Sequence, residues 1–175
     1  MTLPAIHTFT LPGAMLKRGF WLYVWRAQTP AGEMLYVGRT GDNSSPYATA
    51  PYTRMGQHLG KVQTQNALRK HLQNKGIDPE SCSEFDLIAC GPLYPEVEGE
   101  GLDRSALMEL HKPIRNIVGA MEKALAYALQ DVGYCILNTV SWNHPLDDRL
   151  WQPVLKAFSD HFPRLSAFRG IGVNG

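Results

Sequence analysis

Three features are scarce in this sequence, and each scarcity narrows the class of protein. It has only three cysteines in 175 residues, an odd number with no Cys-x-x-Cys pair, which argues against a disulfide framework or a cysteine zinc site. No apolar run approaches the roughly 18 residues needed to cross a bilayer. The apolar residues near the N-terminus precede Lys17 and Arg18, the reverse of the order in a secretory signal. We therefore expect a reduced, cytoplasmic globular protein with no membrane contact.

Net charge is also small, at +1, but its distribution along the chain is uneven. Residues 1–77 contain nine Lys or Arg and only two acids, Glu33 and Asp42. Residues 78–175 contain eight Lys or Arg and fourteen acids. A basic first half suits contact with phosphate oxygens of a nucleic acid, although the same charges could scatter over a folded surface.

The first half of the chain begins with the pattern of a β-hairpin. The segment 20–26, FWLYVWR, is rich in aromatic and branched residues and predicts a strand. Pro30 and Gly32 signal a turn, and the segment 34–40, MLYVGRT, predicts the second strand. The following segment 41–51, with Gly, Asp, Asn, Ser and Pro, predicts a mobile, exposed loop.

Helical spacing follows that loop. Met55, Leu59 and Val62 recur at intervals of four and three and predict an apolar helical face, which Leu68 and Leu72 continue after Thr64 until Gly76 ends the run. The segment 83–90 predicts a third strand, and the segment 92–101 predicts a loop.

Three helices are predicted in the second half. A short one at 103–111 should stop before Pro113, and a stronger one at 118–130 should end before Gly133. The third, at 148–162, begins after the capping residues Asp147 and Asp148. The whole predicts an α+β fold with a small three-stranded sheet, an N-terminal hairpin and flanking helices. We expect an N-terminal arm (1–19), a catalytic domain (20–140) and a helical extension (141–175) packed on it.

A set of residues along the predicted domain matches a known pattern. The tripeptides Trp-Leu-Tyr23 and Tyr36-Val-Gly38 lie on adjacent predicted strands, and Arg-Thr follows the second. Arg54 and His58 share one face of the next helix, Glu122 lies on a later helix, and Asn138 follows that helix. In this order the residues resemble the GIY-YIG nuclease family over roughly residues 20–140. Trp21 departs from the family's usual glycine, and the interval from Tyr36 to Arg54 is longer than in compact members.

The chemistry of these residues can also be argued directly. Phosphodiester hydrolysis needs an activated water and stabilisation of negative charge on the phosphoryl oxygens. Arg54 provides a forked cation suited to phosphate. Glu122 can hold Mg²⁺ or Mn²⁺, because Mg²⁺ typically binds one or two carboxylates together with water and substrate phosphate. Its apolar neighbours Met121 and Leu125 predict a carboxylate at the edge of a buried face.

The resemblance implies a role for each residue. Tyr36 is expected to activate water, which requires that its ordinary pKa of about 10 be depressed by an arginine and a metal-bound water. Tyr23 and His58 would position the phosphate or relay a proton. Gly38 and Arg39 would contact the substrate, and Asn138 would orient neighbouring groups by hydrogen bonds.

Other interpretations of the sequence stay open at this stage. Tyr23 could be a core aromatic, Arg54 and Glu122 surface residues and His58 structural, while the acidic loop at 96–100 could bind a cation. The expected function is a metal-dependent DNA endonuclease of restriction or defence type, working as a homodimer if it cuts both strands. A catalytically inactive DNA-binding module of the same fold and an RNA-cleaving nuclease are the alternatives.

Overall fold

The computed structural model describes residues 3–170, so residues 1–2 of the expected arm and 171–175 of the expected extension lie outside it. Its strands are β1 (Phe20–Thr29), β2 (Gly32–Arg39) and β3 (Glu84–Tyr94). The helices are α1 (Pro51–Leu59), α2 (Ala67–Asn74), α3 (Arg104–Asp131) and α4 (Asp148–Ser159), with 3₁₀ turns at Gly13–Leu16, Pro79–Ser81 and Pro163–Ala167. The fold is therefore mixed α+β, as the sequence predicts.

All three strands form one antiparallel sheet in the order β2-β1-β3. The hairpin between β1 and β2 is confirmed, and pairing continues to Thr29 opposite Gly32, so only two residues make the turn. Strand β1 lies in the centre, which agrees with its almost wholly buried side chains. Strand β3 is longer than the predicted 83–90.

The extension of β3 corrects the loop predicted to begin at Pro92. Leu22 is paired with Cys90 and Phe20 with Tyr94, and the register shifts between these two pairs. Pro92 lies within this irregularity on an edge strand, where the missing N–H of proline removes no central ladder bond. The strand can therefore continue through the proline to Tyr94.

The alternation of β1 divides the core into two layers. Its even-numbered residues Phe20, Leu22 and Val24 pack with α3 and α4. Its odd-numbered residues Tyr23, Trp25 and Ala27 pack with α2 and the loops beside it. Tyr36 of β2 packs against this second layer, so both tyrosines of the sequence pattern face the same side of the sheet.

Helix α3 corrects the expectation of two helices separated by Pro113. It runs unbroken for 28 residues, with Pro113 inside it. Pro113 and Glu109, whose carbonyl the proline cannot bond, are both exposed, so water can solvate that carbonyl. The end at Gly133 is as predicted: its N–H donates to the Gln130 carbonyl, and Tyr134 N–H donates to the Leu129 carbonyl.

Two further expectations in the first half are wrong. Val62 does not extend a helical face, because α1 ends at Leu59 and Val62 lies exposed in the connection to α2. The loop after β2 is not generally exposed, since Gly41, Pro46, Ala48 and Ala50 are buried. Side chains of α3 also hold this loop, because Arg104 donates to the Ser44 carbonyl at 2.9 Å and His111 Nε2 donates to the Asp42 carbonyl at 3.0 Å.

The C-terminal helix α4 packs on the same core as α3. Its buried residues Trp151, Val154 and Phe158 join Val118 and Leu125 of α3 in one apolar cluster. Asp147 caps α4 as predicted, by accepting a hydrogen bond from Arg149 N–H at 2.9 Å. The helix ends at Ser159, three residues earlier than predicted. Within residues 3–170, no helix has both the length and the hydropathy to cross a membrane.

Candidate active site

A cleft of about 510 Å³ opens beside the end of β2. Strand β2 is an edge strand, and the segment after α3 pairs with it: Leu35 N–H donates to the Cys135 carbonyl, and Leu137 N–H donates to the Leu35 carbonyl. The cleft is lined by nearly every residue of the predicted site: Tyr23, Tyr36, Gly38, Arg39, Arg54, His58 and Glu122. These residues come from β1, β2, α1 and α3, so it is the fold that brings them together.

Two tyrosines and a histidine form the inner wall. Tyr23 Oη and His58 Nε2 are hydrogen-bonded at 2.8 Å, and both residues are buried. The Tyr36 ring lies 5.0 Å from the His58 ring and 5.7 Å from the His71 ring, between centroids. Burial, aided by Arg54 and His71, lowers the pKa of His58 to about 4, so this imidazole is neutral at physiological pH.

The protonation of the tyrosines differs from the expectation. Burial, reinforced by Glu122 and opposed by Arg54, raises the pKa of Tyr36 to about 12, whereas a depressed value was expected. Burial raises the pKa of Tyr23 well above its ordinary value. Both phenols therefore carry their protons in the ligand-free protein, because a phenolate loses hydration when buried.

Arg54 is held in place by Asp42, which the sequence analysis did not select. The two side chains form a charge-assisted hydrogen bond, and Arg54 Nη1 donates to Gln57 Oε1 at 3.2 Å. Burial works to raise the pKa of Asp42, but hydrogen bonds from Ser44 and Arg54 lower it to about 2. Asp42 therefore stays ionised and keeps the planar guanidinium in one orientation toward the cleft.

Glu122 is paired with Arg39, the arginine expected to contact the substrate. Arg39 Nε lies 2.9 Å from Glu122 Oε2, without the directed geometry of a hydrogen bond. The two side chains are only 9% and 14% exposed, respectively. The Arg39 guanidinium also lies 4.4 Å from the centre of the Trp142 ring. Stacking on Trp142 thus confines Arg39 beside the carboxylate.

The Glu122 carboxylate is a buried acid in the wall of the cleft. Burial raises its pKa to about 7, although Arg39 and Arg54 both oppose this shift. No side-chain hydrogen bond among the described residues reaches the Glu122 carboxylate, so beyond the ion pair with Arg39 it lacks the donors that usually stabilise a buried anion. A divalent cation would supply that stabilisation. No group of three or more His, Cys, Asp or Glu suited to a metal occurs in residues 3–170, and Mg²⁺ accepts a single carboxylate with water and phosphate.

Gly38 and Asn138 contribute to the shape of the site. A Cβ atom on Gly38 would lie 2.6 Å from Tyr23 Cε2, so only glycine allows the Tyr23 ring to lie across β2. Asn138 is not brought to the cleft. Its amide oxygen accepts from Val37 N–H at 3.0 Å, and its amide nitrogen donates to the Val37 carbonyl at 2.8 Å. Asn138 thus joins the segment after α3 to the edge of β2.

Sequence reasoning missed two residues that act on the site, Asp42 and Trp142. Asp42 carried a signal, since it is one of only two acids in the first 77 residues. Trp142 carried none, because it lies twenty residues beyond Glu122 in sequence and reaches Arg39 only through tertiary packing. Its indole packs on Gly119 of α3, and its Nε1 donates to the Asn116 carbonyl at 3.0 Å.

Comparisons of the chain with protein-family models, with curated proteins and with solved structures gave no match. The interpretation of the cleft therefore depends on its own geometry and chemistry.

Proposed function

We propose that this protein is a metal-dependent endonuclease that hydrolyses phosphodiester bonds in DNA, with the cleft as its active site and a mechanism of GIY-YIG type. The observation that carries the proposal is the convergence of Tyr23, Tyr36, Arg54, His58 and Glu122 from four separate elements into one cleft. Phosphodiester hydrolysis needs an activated water and stabilisation of the charge on the phosphoryl oxygens, and an arginine, a metal-binding carboxylate and a phenol–imidazole pair can supply both.

Arg54 is the group that receives the scissile phosphate. Its pairing with Asp42 directs the guanidinium into the cleft, and it is the cation of the site that is not stacked on an aromatic ring. A forked guanidinium can donate two hydrogen bonds to two phosphoryl oxygens and so stabilise the charge of the transition state.

Glu122 is the residue that would hold Mg²⁺ or Mn²⁺. A bound divalent ion supplies positive charge that polarises the phosphate and an attacking water. Arg39 Nε pairs with Oε2 of the carboxylate and leaves Oε1 as the oxygen that would bind the ion. Arg39 is accordingly a positioning residue for Glu122.

Tyr36 holds the attacking water, and proton transfer to it depends on a fall of its pKa. Arg54 already acts in that direction, and a cation at Glu122 would replace the negative charge that now raises the pKa of Tyr36. The neutral His58 accepts a hydrogen bond from the Tyr23 phenol at its Nε2, 2.8 Å away, so Tyr23 can pass its proton to Nε2 as it takes one from the cleft. Tyr23 and His58 thus provide a route for the proton out of the cleft.

The substrate class is tested with wild type and Arg54→Ala on matched substrates: duplex DNA, single-stranded DNA and RNA, each with Mg²⁺, Mn²⁺ or EDTA. We expect cutting of duplex DNA with either metal, no cutting in EDTA, and a loss of about 10²-fold or more in the variant. Cutting of RNA alone would assign the RNA-nuclease alternative. Binding of DNA without cutting would assign the inactive binding module.

A defence or restriction-like role, a cytoplasmic location and a homodimer that cuts both strands belong to the same proposal. The apolar stripe of α4 is not free to form such a dimer, because it packs on the core. A dimer would need another surface, and the mass of the protein in solution with and without duplex DNA tests this.

A further inference from the structure

The stretch between Asp42 and Asp78 contains no acidic residue. It carries five Lys or Arg, namely Arg54, Lys61, Arg69, Lys70 and Lys75. The structure folds the middle of this stretch into the connection between α1 and α2 and into α2 itself. Thr64, Gln65 and Ala67 of this region line the cleft. The positive charge of the first half is thus concentrated directly beside the proposed active site.

A second groove, of about 570 Å³, adjoins the cleft along this connection. We call it the α2 groove, defined by Lys61, Gln63, Asn66, Arg69, Lys70 and Gln73. Glu80 also lines it, but the Arg69 guanidinium binds both of its oxygens at 2.8 and 3.2 Å. Lys61 and Lys70 are exposed and have no ion-pair partner within residues 3–170, so they give the groove its positive charge.

The N-terminus of α2 lies between the cleft and this groove, since Ala67 lines one and Asn66 the other. No side chain caps this helix end. The N–H groups of Leu68 and Arg69 donate no hydrogen bond to the part of the chain that the structure describes. Uncapped N–H groups at a helix N-terminus, together with the helix dipole, attract an anion.

Asn66 gives an independent indication of a ligand. It is only 5% exposed, yet its side-chain amide has no hydrogen-bond partner among the described residues: Oδ1 is buried and unpaired, and the donor Nδ2 is the atom that can bond to a phosphate oxygen in the groove. Fully buried polar atoms are nearly always satisfied in folded proteins, so an unbonded amide in a groove wall is available to a bound molecule. Asparagine amides are among the groups that contact phosphate and sugar in protein–DNA complexes.

We propose that the α2 groove binds a backbone phosphate of the DNA strand, next to the phosphate that is hydrolysed in the cleft. Lys61 and Lys70 neutralise the phosphate, while the Asn66 amide and the N-terminus of α2 donate hydrogen bonds to it. This inference rests on the proposed function, because the same strand must occupy the cleft. It assigns a binding subsite to residues that take no part in the chemical step.

The test is fluorescence anisotropy of a labelled 20-base-pair DNA duplex in EDTA, at several salt concentrations. For Lys61→Gln/Lys70→Gln we expect the Kd to rise about tenfold and the slope of log Kd against log salt to fall by about 2. The matched control is Arg149→Gln/Lys156→Gln, which removes two exposed cations of α4 across the sheet and should change neither quantity.

Asn66→Ala separates binding from folding. It removes the donor Nδ2 without breaking a side-chain hydrogen bond among the described residues, so we expect a raised Kd with little change in Tm. A wild-type protein that binds the duplex, with an unchanged Kd and salt slope in the Lys61→Gln/Lys70→Gln variant, would overturn the α2 groove proposal alone. A wild-type protein that neither binds nor cuts DNA would overturn the proposed function as well.

Discussion

Glu122 and His58 have opposite protonation preferences within one cleft. The folded protein raises the pKa of Glu122 from 4.5 to about 7, so the stabilisation from this group is complete below pH 4.5 and is lost as pH rises through 7. It lowers the pKa of His58 from 6.5 to about 4. The stabilisation from His58 is therefore present above pH 6.5 and is lost as pH falls through 4. Of the two groups, only Glu122 lowers the stability of the folded protein as pH rises toward the range in which its carboxylate is ionised and would bind a metal.

This preference predicts a difference between wild type and Glu122→Gln in EDTA. From pH 5 to pH 8, the unfolding free energy of wild type should fall relative to that of the variant by about 2–3 kcal/mol, because only wild type must ionise a buried carboxylate. His58 is present in both proteins, so its titration cancels. Urea unfolding at the two pH values measures the difference, and parallel pH profiles would contradict the burial of Glu122 described here.

The proposed role of Tyr36 depends on a metal ion being bound beside it, because only then would its pKa fall. We predict that Tyr36→Phe lowers kcat by about 10²-fold or more and changes KM little, since only the phenol oxygen is removed. The control is Tyr127→Phe, an exposed tyrosine of α3. Single-turnover rates at saturating DNA make the comparison. A rate equal to that of wild type would remove Tyr36 from the chemical step.

Sequence reasoning selected most cleft residues but not their pairings. Glu122 was predictable because apolar residues on one helical face surround it. The pairing of Asp42 with Arg54 was not, because it depends on the path of the loop after β2, which side chains of α3 hold in place. The raised pKa of Tyr36 was also missed, since burial acts on a tyrosine more strongly than one neighbouring arginine does.

At the scale of elements, the crossing of the Tyr23 ring over Gly38 fixes the geometry of the hairpin at the cleft. We predict that Gly38→Ala destabilises the protein by about 1–3 kcal/mol and lowers activity, because the new Cβ would lie 2.6 Å from a buried ring bonded to His58. Thermal unfolding and cleavage rates measure both effects.

Gly56→Ala is the matched control for that variant. Gly56 lies inside α1, and a Cβ there would meet no atom within 4 Å. Alanine is the better helix former by about 0.8–1.0 kcal/mol, so this variant should be at least as stable as wild type. If Gly38→Ala behaved in the same way as Gly56→Ala, the close packing of Tyr23 on β2 would be refuted.

The types and order of the elements were predictable, but their boundaries were less so. Periodicity identified the hairpin, the third strand and the main helices. The predictions that a helix stops before Pro113 and that a loop begins at Pro92 were wrong. The rule that proline ends an element assumes that nothing replaces the lost hydrogen bond. Pro113 lies on an exposed helix surface and Pro92 on an edge strand, so each element continues through its proline.

At the scale of the molecule, the two halves of the chain meet in the cleft. The basic half provides Arg39 and Arg54, and the acidic half provides Glu122, from a helix that packs on the opposite layer of the sheet. The site thus exists only when both layers are folded. For this reason the uneven charge along the sequence could not locate the cleft.

The central claim is that Glu122 holds the metal ion for DNA cleavage, and the most direct measurement is plasmid cleavage by wild type and Glu122→Gln with Mg²⁺, Mn²⁺ or EDTA. Wild type should cut with either metal and not in EDTA, whereas the variant should remain folded by circular dichroism and lose activity about 10²-fold or more. A folded Glu122→Gln variant that cuts the plasmid at the wild-type rate would contradict it.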